Sequence, residues 1–306
     1  MTRAIFLFLI LVMHICLYAQ QPVVSNGELK RFPAFTSSFV GARNVDVWLP
    51  PGYSSQNKYA VLYMHDGQML YDSTVTWNKQ EWGVDETMTD LLKQQKIKNC
   101  IVVGVWNTGV MRHADYFPQK PFLSLATAQR DSIYKATRGT DYALFAAPVQ
   151  SDAYLKFLIT ELKPFIDKNF SVKTDRANTF IAGSSMGGLI SMYAICEYPD
   201  VFGGAACLST HWPGIFATAN NPIPAAFISY LQKHLPHPSS HKIYFDYGTA
   251  GLDSLYKPFQ LQADAVMQAK GYTATNWQSK EFIGEDHSEN AWSRRLSIPL
   301  LFLLKK

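Results

Sequence analysis

The sequence predicts an α/β fold with a mostly parallel central sheet and helices on both of its faces. Short apolar runs alternate with segments of helical periodicity, which is the order expected of repeated strand–helix–strand units. Most of the apolar runs are nearly continuous, as in strands that are buried on both faces. A chain of 306 residues that is 47% hydrophobic and 17% charged can also bury a large core.

Six segments are predicted to be strands. The first alternates apolar and polar residues before a Pro-Pro-Gly turn, and the other five are short apolar runs. In chain order they cover residues 44–53, 59–67, 100–107, 178–183, 202–209 and 242–248. Between them, apolar stripes at helical spacing predict helices around residues 84–92, 155–166, 188–197, 259–267 and 292–303. The last of these is predicted as one helix with Pro299 inside it.

Two long segments interrupt this alternation, at residues 108–150 and 211–241. Each follows the carboxyl end of a predicted strand, which is where open α/β sheets place their ligand sites. We therefore expect substrate-contacting loops or a small lid, with ordinary surface insertions as the alternative. Residues 20–306 are expected to form a single domain that carries both insertions.

The first 19 residues have the pattern of a secretory signal peptide. Arg3 provides the positive start, residues 4–17 are apolar except for one histidine, and Ala19 is a small residue at a plausible cleavage point. The run is shorter than the roughly 20 residues that span a bilayer. A lipid anchor through Cys16 is disfavoured because a bulky residue precedes it. We therefore expect an exported protein, periplasmic or secreted, without a membrane span after cleavage.

Charge and cysteine content narrow the function classes further. The formal net charge is +4 and no run of Lys or Arg exceeds two residues, so nucleic-acid binding is not indicated. Cys100, Cys196 and Cys207 remain after signal cleavage, an odd number that allows at most one internal disulfide. All three lie in apolar segments and are expected to be buried thiols.

The turn Gly183–Gly187 matches the pattern G-x-S-x-G, with Ser185 at its centre. The pattern alone is weak, but here it follows a strand pattern and opens an apolar helix, the setting of a nucleophile elbow. Glycines permit the sharp turn that exposes the serine at a helix N-terminus, where N–H groups can stabilise an oxyanion. Ser185 is the candidate nucleophile, and Ser184 is expected to point elsewhere.

A serine hydroxyl needs a general base, and the base needs an acid that orients it. In hydrolases with this kind of elbow the chain order is serine, acid, histidine. His287 lies beyond the last predicted strand in a polar loop, and it is the candidate base. The candidate acid is Asp253, in the loop after the 242–248 strand, with Asp246 inside that strand as the alternative.

Several other residues at strand ends are candidates for the walls of a substrate pocket: Trp106, Asn107, His211 and Trp212, and with less support Arg112, His113 and Tyr116. His234, His237 and His241 lie close together in the sequence but lack the regular spacing of zinc ligands. Neither a metal nor a cofactor is therefore predicted.

With these residues in view, the chain resembles the esterase D and feruloyl-esterase branch of the α/β hydrolases, which also contains siderophore esterases and mycolyl transferases. The resemblance spans roughly residues 40–300 and rests on ordered motifs: VWLPPGY, VLYMHDGQMLYD, GSSMGG, YPDVFGGAACLS, GTAGLDSLY and GEDHSENAW. It implies an α/β-hydrolase fold.

The resemblance also implies a role for each catalytic position. Ser185 would be the nucleophile, Asp253 the acid and His287 the base. The backbone N–H groups of Gln68 and Met186 would form the oxyanion hole. The predicted function is that of an exported serine esterase acting on a small-molecule or glycan-linked ester of the feruloyl, acetyl or siderophore type. An acyltransferase with the same triad and a non-catalytic ligand-binding relative remain as alternatives.

Overall fold

An eight-stranded sheet forms the centre of the protein in a computed structural model that describes residues 21–139, 142–216 and 219–306. The predicted signal peptide, residues 1–19, lies outside the described residues. The strands are β1 Glu28–Phe35, β2 Arg43–Leu49, β3 Ala60–His65, β4 Cys100–Val105, β5 Thr179–Ser184, β6 Gly204–Leu208, β7 Lys242–Gly248 and β8 Trp277–Phe282. Their order across the sheet is β1-β2-β4-β3-β5-β6-β7-β8. Strand β2 is antiparallel to its two neighbours, and all the other pairs are parallel.

Each face of the sheet has its own hydrophobic core, because side chains alternate between the faces along a strand. In β3, Val61 and Tyr63 belong to one cluster, and Leu62 and Met64 belong to the other. Buried residues of eight helices join the first cluster, three of them short helices of the first insertion, and buried residues of three helices join the second. The prediction of a mostly parallel sheet with helices on both faces is confirmed.

The first face is covered by α5 Ser151–Phe157, α6 Lys163–Asn169, α7 Met186–Glu197, α8 Ile223–His234 and α9 Lys257–Ala269. The second face is covered by α1 Val84–Lys93, α10 Glu289–Arg295 and α11 Ser297–Leu304. A π-helical segment at Leu158–Leu162 joins α5 to α6, so the predicted stripe over residues 155–166 lies within a longer helical stretch. Helix α7 is buried along nearly its whole length, in agreement with its apolar sequence.

Two strands and one helix boundary differ from the prediction. Strands β1 and β8 were not predicted, because both are edge strands with few buried residues and neither is apolar along its whole length, as the inner strand β4 is. The single helix predicted over residues 292–303 is wrong, since the chain forms α10 and α11 with a break at Leu296. Pro299 is the third residue of α11, in the first turn, where its missing N–H costs no helical hydrogen bond.

The two insertions contact each other over the carboxyl edge of the sheet. The first contains three short helices, α2 Arg112–Tyr116, α3 Gln119–Leu123 and α4 Thr127–Ile133, and a small hairpin formed by Thr137–Arg138 and Tyr142–Ala143. The second contains α8, which packs against α3. The rings of Phe117 and Phe227 meet with their centroids 5.3 Å apart, which joins the two segments through an apolar contact.

The predicted burial of the three cysteine thiols is confirmed: all three are buried and free. Burial raises the pKa of each of these thiols, so the reactive thiolate form is disfavoured. Within the described ranges, no helix has the length and apolar character needed to cross a membrane.

Candidate active site

Ser185 lies on a strained turn between β5 and α7. Its backbone has φ 58° and ψ −122°, a conformation that L-residues rarely adopt, and its N–H donates to the carbonyl oxygen of Leu208 at 2.9 Å. A Cβ on Gly183 would come within 2.7 Å of the carbonyl carbon of Gly187, so only glycine allows this approach. The side chain of Ser185 is half-buried, whereas Ser184 is buried. The turn therefore presents Ser185 and hides its neighbour.

The side chains of Asp253 and His287 are in direct contact. His287 Nδ1 lies 2.5 Å from Asp253 Oδ1, and the carboxylate is fully buried while the imidazole is 17% exposed. Asp253 belongs to a short 3₁₀ turn, Gly251–Leu255, that follows β7. His287 precedes α10, and Ser288 caps that helix by accepting a hydrogen bond from the N–H of Ala291. The contact leaves Nε2 as the imidazole nitrogen available to a reactant.

The second oxygen of Asp253 is held by two donors. Oδ2 accepts hydrogen bonds from Ser209 Oγ at 2.5 Å and from the N–H of Gly248 at 2.6 Å. Ser209 Oγ in turn accepts from Trp292 Nε1 and from Arg295 Nη2, both at 2.9 Å. The carboxylate is therefore fixed in orientation by a satisfied network rather than by one contact.

Asp246, the alternative acid, has different partners and does not contact His287. Its carboxylate forms a fully buried ion pair with Arg295, with Nη2–Oδ1 at 3.0 Å and Nε–Oδ2 at 3.2 Å. It also accepts from the N–H of Ser209 and from the hydroxyl of Tyr244, each at 3.0 Å. Burial raises the pKa of Asp246 even though Arg295 acts in the opposite direction. Ser209 contacts both carboxylates: its N–H donates to Asp246 and its hydroxyl donates to Asp253, and only Asp253 contacts the imidazole of His287.

The loops that carry Asp253 and His287 are joined by their backbones. The carbonyl oxygen of Glu285 accepts from the N–H groups of Thr249 and Ala250, both at 3.0 Å, and the N–H of Gly284 donates to Thr249 Oγ1 at 2.8 Å. A Cβ on Gly248 would lie 2.1 Å from the same Glu285 oxygen, so this close approach requires glycine.

The predicted oxyanion residues lie on two elements that meet at the elbow. Gln68 is in a 3₁₀ turn, Gly67–Met69, that follows Asp66 in a left-handed conformation. Met186 is the first residue of α7, where helix N–H groups have no partner within the helix. A Cβ on Gly187 would be 3.3 Å from Cβ of His65, which shows how closely the elbow approaches this turn. The side chain of Gln68 accepts from the N–H of Asn107 at 3.2 Å.

A buried ion pair supports the turn that carries Gln68. Asp66 accepts from Arg112 Nε and Nη2 at 2.8 and 2.7 Å and from Asn107 Nδ2 at 2.7 Å. Burial raises the pKa of Asp66, but Arg112 and Asn107 outweigh that effect and the net shift is downward. Asn107 and Arg112 therefore keep Asp66 ionised and hold the loop, and Arg112 remains 28% exposed.

Tyr256 connects Ser185 to a second histidine. The side chains of Tyr256 and Ser185 are hydrogen-bonded, and the Tyr256 hydroxyl lies 2.7 Å from His211 Nδ1. The N–H of His211 donates to the carbonyl oxygen of Ser185 at 3.2 Å. Burial lowers the pKa of His211 well below its usual value, and the nearby His287 and His113 act in the same direction. In the described part of the chain Ser185 makes no hydrogen bond to His287, so its hydroxyl must turn toward the imidazole before reaction.

The predicted pocket residues divide by burial. Trp106 is half-buried, with Nε1 donating to Asp46 Oδ2 at 2.7 Å and Arg31 over its ring at 4.6 Å. Trp212 is fully buried against Phe245 and donates to Gln260 Oε1 at 3.0 Å, so its contacts are those of a core residue.

Two further predicted residues lie within the first insertion, in α2. His113 contacts the carbonyl oxygen of Gly214 through Nε2 at 2.9 Å, and burial lowers its pKa to about 4. Tyr116 is buried, with its hydroxyl 3.4 Å from the N–H of Asp66.

The three clustered histidines have separate partners: His234 stacks on Tyr230, His237 Nδ1 bonds Ser239 Oγ, and His241 Nε2 lies 2.8 Å from the Pro199 carbonyl oxygen. Across residues 21–139, 142–216 and 219–306, no group of three or more His, Cys, Asp or Glu residues is placed to hold a metal ion.

Sequence reasoning missed three residues of the site: Ser209, Tyr256 and Arg295. Ser209 has a positive φ of 41° immediately after β6, a conformation that a sequence pattern does not reveal. Arg295 reaches its partners across 49 and 86 residues of chain, and only the folded sheet brings them together. Tyr256 lies three residues after Asp253, and this proximity to a candidate acid was the one available signal.

Comparison with known proteins identifies related sequences and folds. Residues 36–302 match the family model described as "Putative esterase". The chain is 27% identical over 174 residues to the uncharacterized protein YbbA of Bacillus subtilis, a match that covers 56% of this chain and 58% of the relative. It is 28% identical over 203 residues to an endo-1,4-beta-xylanase/feruloyl esterase of Xylanibacter ruminicola, covering 63% of this chain and 23% of that protein. The matches thus span less than two thirds of either relative.

Among solved structures, a ferulic acid esterase superposes with a TM-score of 0.63 at 19% identity, covering 90% of this chain and 97% of that one. At 19% identity this similarity is evidence for the fold alone. Together with the sheet order, it confirms the α/β-hydrolase fold predicted from the sequence.

Proposed function

The chain belongs to this esterase family, and from that premise we propose that it hydrolyses carboxylic esters with Ser185, His287 and Asp253 as its catalytic triad. The observation that carries the proposal is the 2.5 Å contact between His287 and a buried Asp253, next to a serine on a strained strand-to-helix turn. The network around Asp253 favours it over Asp246, because Asp246 is neutralised by Arg295 and lies away from the imidazole.

The reaction follows from the protonation of these groups. His287 Nε2 takes the Ser185 proton as Oγ attacks the ester carbonyl, and Asp253 stabilises the imidazolium through Nδ1–H. The carbonyl oxygen becomes an oxyanion, which the backbone N–H groups of Gln68 and Met186 are proposed to bind, each contributing about 3 kcal/mol. Collapse releases the alcohol and leaves an acyl-enzyme, which water then hydrolyses with His287 again as the base.

We propose an ester of the feruloyl, acetyl or siderophore type as the substrate, small or linked to a glycan. The names of a sequence relative and of a structural neighbour, both feruloyl or ferulic acid esterases, support the aromatic acyl option. Half-buried Trp106 and Asn107, together with His211 and the exposed face of Arg112, are proposed to line the site. His211 is also buried, but it contacts Tyr256 and the backbone of Ser185. Trp212 is left out of this set because its ring packs on Phe245 and its indole N–H donates to Gln260.

We also propose that the protein is exported, on the basis of its signal-like first 19 residues. Expression of the full chain in a bacterial host, followed by fractionation and N-terminal sequencing, tests this. A new N-terminus near Gln20 in the periplasm or medium supports export, and an intact Met1 on protein confined to the cytoplasm contradicts it.

Labelling with a fluorophosphonate tests the nucleophile directly. Ser185→Ala is expected to abolish labelling, and the adjacent buried Ser184→Ala serves as the matched control that retains it. Turnover of feruloyl, acetyl-sugar and catecholate esters then identifies the acyl group. Equal labelling of the Ser185→Ala variant would refute the triad, and faster product formation with added alcohol than with water would indicate an acyltransferase.

A further inference from the structure

Tyr256 occupies a position that the triad alone does not explain. Its side chain is buried, its hydroxyl contacts both Ser185 and His211 Nδ1, and its ring packs edge-on against His287 with centroids 5.8 Å apart. Its N–H donates to the carbonyl oxygen of Asp253 at 2.9 Å. One tyrosine thus touches the proposed nucleophile, the proposed base and the turn of the proposed acid.

We propose that the Tyr256 hydroxyl, held by His211, donates a hydrogen bond to Ser185 Oγ in the acyl-enzyme and stabilises this oxygen as the leaving group of deacylation. This role rests on the function proposed above. In the acyl-enzyme, Nε2 of His287 accepts from the attacking water and can donate to Oγ only after it has taken the water proton, so until then Oγ needs another donor. Tyr256 is the group already in contact with it.

The proposed direction of the hydrogen bond sets the protonation that both partners need. Burial raises the pKa of Tyr256 well above its usual value, so the hydroxyl keeps the proton that the proposed donation to Ser185 Oγ requires. It has one proton, and donation to Oγ requires that its oxygen accept from His211. Neutral His211 can supply this bond as the Nδ1–H tautomer. His211 is therefore a positioning residue, which fixes the direction in which Tyr256 donates.

Deacylation in this proposal is an ordinary ester hydrolysis. Water adds to the acyl carbon and gives a proton to His287 Nε2, and the carbonyl π electrons form an oxyanion. The oxyanion re-forms the carbonyl as the bond from the acyl carbon to Ser185 Oγ breaks and its electron pair moves to Oγ. His287 returns the proton to Oγ, releasing the carboxylic acid and free serine, while Tyr256 keeps its own proton throughout.

The effect is expected to be larger in deacylation than in acylation. The alkyl oxygen of an ester is a poor hydrogen-bond acceptor, whereas a serine hydroxyl is a good one. On the way from acyl-enzyme to transition state, Oγ gains negative charge and its bond from Tyr256 strengthens greatly. From the free serine the gain is smaller, because that bond already exists. Only an interaction stronger in the transition state than in the ground state raises the rate.

Burst kinetics with p-nitrophenyl acetate separate the two steps. Tyr256→Phe is expected to lower the steady-state rate about tenfold, the scale of one hydrogen bond, with a smaller change in acylation. A burst of p-nitrophenol approaching one equivalent should emerge, and intact-mass analysis should detect the acetyl-enzyme. Tyr272→Phe is the matched control, since that buried hydroxyl donates to the Pro236 carbonyl oxygen and is remote from Ser185.

Two His211 variants test the positioning role and keep the proposal open to refutation if Tyr256→Phe fails to fold. His211→Asn can still offer an N–H near the Nδ1 position, and it is expected to deacylate faster than His211→Leu, which offers none. Unchanged deacylation in Tyr256→Phe, equal losses in both steps, or equal rates in the two His211 variants would overturn the role. A wild-type protein without Ser185-dependent turnover would instead refute the proposed function, and this role with it.

Discussion

Replacing Asp253 by asparagine is expected to inactivate the enzyme through the orientation of the new amide. The N–H of Gly248 is an obligatory donor at 2.6 Å from Oδ2, and Ser209 Oγ, which already accepts two bonds, donates to the same oxygen. The oxygen of the introduced amide must therefore occupy the Oδ2 position, which turns its NH₂ group toward His287 Nδ1. A donor at that point forces Nδ1 to accept, so the imidazole carries its proton on Nε2.

An imidazole protonated on Nε2 cannot take the proton of Ser185. The expected loss in kcat for Asp253→Asn is about 10⁴-fold, equivalent to about 5 kcal/mol of transition-state stabilisation. The isosteric exchange keeps the hydrogen bonds at Oδ2, so the thermal unfolding midpoint should change little. Histidine ¹⁵N chemical shifts should report the change of tautomer at His287 directly.

Asp246→Asn is the matched comparison. It should lower stability and largely keep kcat, whereas Asp253→Asn should lower kcat and largely keep stability. In Asp246→Asn, an amide oxygen at the Oδ1 position still accepts from Arg295 Nη2 and the N–H of Ser209, but the NH₂ group at the Oδ2 position cannot accept from Arg295 Nε. The buried Arg295 cation is then left with the carboxylate of Asp253, 3.9 Å away, as its nearest counter-charge. The expected cost in stability is about 3–5 kcal/mol, with kcat reduced no more than about tenfold. A kcat loss larger for Asp246→Asn than for Asp253→Asn in folded protein would refute this reasoning.

Two further predictions concern stability. Gly183→Ala places a Cβ 2.7 Å from the Gly187 backbone and should lower the free energy of unfolding by about 1–3 kcal/mol in denaturant titrations, whereas Gly41→Ala, with open space around it, should not; equal midpoints would contradict the close approach. Burial lowers the pKa of His65 to about 3, so the unfolded chain binds more protons below pH 6.5 and stability falls as the pH drops. This histidine should contribute about 2 kcal/mol of that loss at pH 5, and His65→Gln should flatten the dependence of the unfolding midpoint on pH between 6.5 and 5; an unchanged slope would argue against a neutral buried His65.

The inner strands of the sheet and the turn that carries Ser185 could be predicted from the sequence. Strands such as Cys100–Val105 and Lys242–Gly248 are buried on both faces, so their apolar runs marked them with nearly correct bounds. The edge strands Glu28–Phe35 and Trp277–Phe282 mix charged and polar residues with apolar ones, because few of their side chains are buried. Their place in the sheet is set by backbone pairing, which leaves little trace in composition.

The surroundings of the candidate triad could not be predicted in the same way. The loop position of Asp253 pointed to it ahead of Asp246, which lies inside the strand. The ion pair of Asp246 with Arg295, 49 residues further along the chain, could not be predicted. Trp212 follows a strand end, as a pocket residue would, yet the fold turns its ring into the core. Whether a residue just after a strand reaches the site depends on the direction of its side chain, and hydrophobic periodicity does not predict that direction. The single-domain organisation and the signal peptide stay predictions.

The backbone link between the two loops at Glu285 has a consequence for local unfolding. Because one carbonyl oxygen holds the N–H groups of both Thr249 and Ala250, the Asp253 turn cannot open without releasing the His287 loop as well. The proposed acid and the proposed base therefore belong to one cooperative opening unit, and partial disorder in which one is lost and the other kept is disfavoured. The proposed ability of His287 to take the proton of Ser185 would then be lost in a single step when this edge of the sheet unfolds locally, before the strands that hold Ser185 separate.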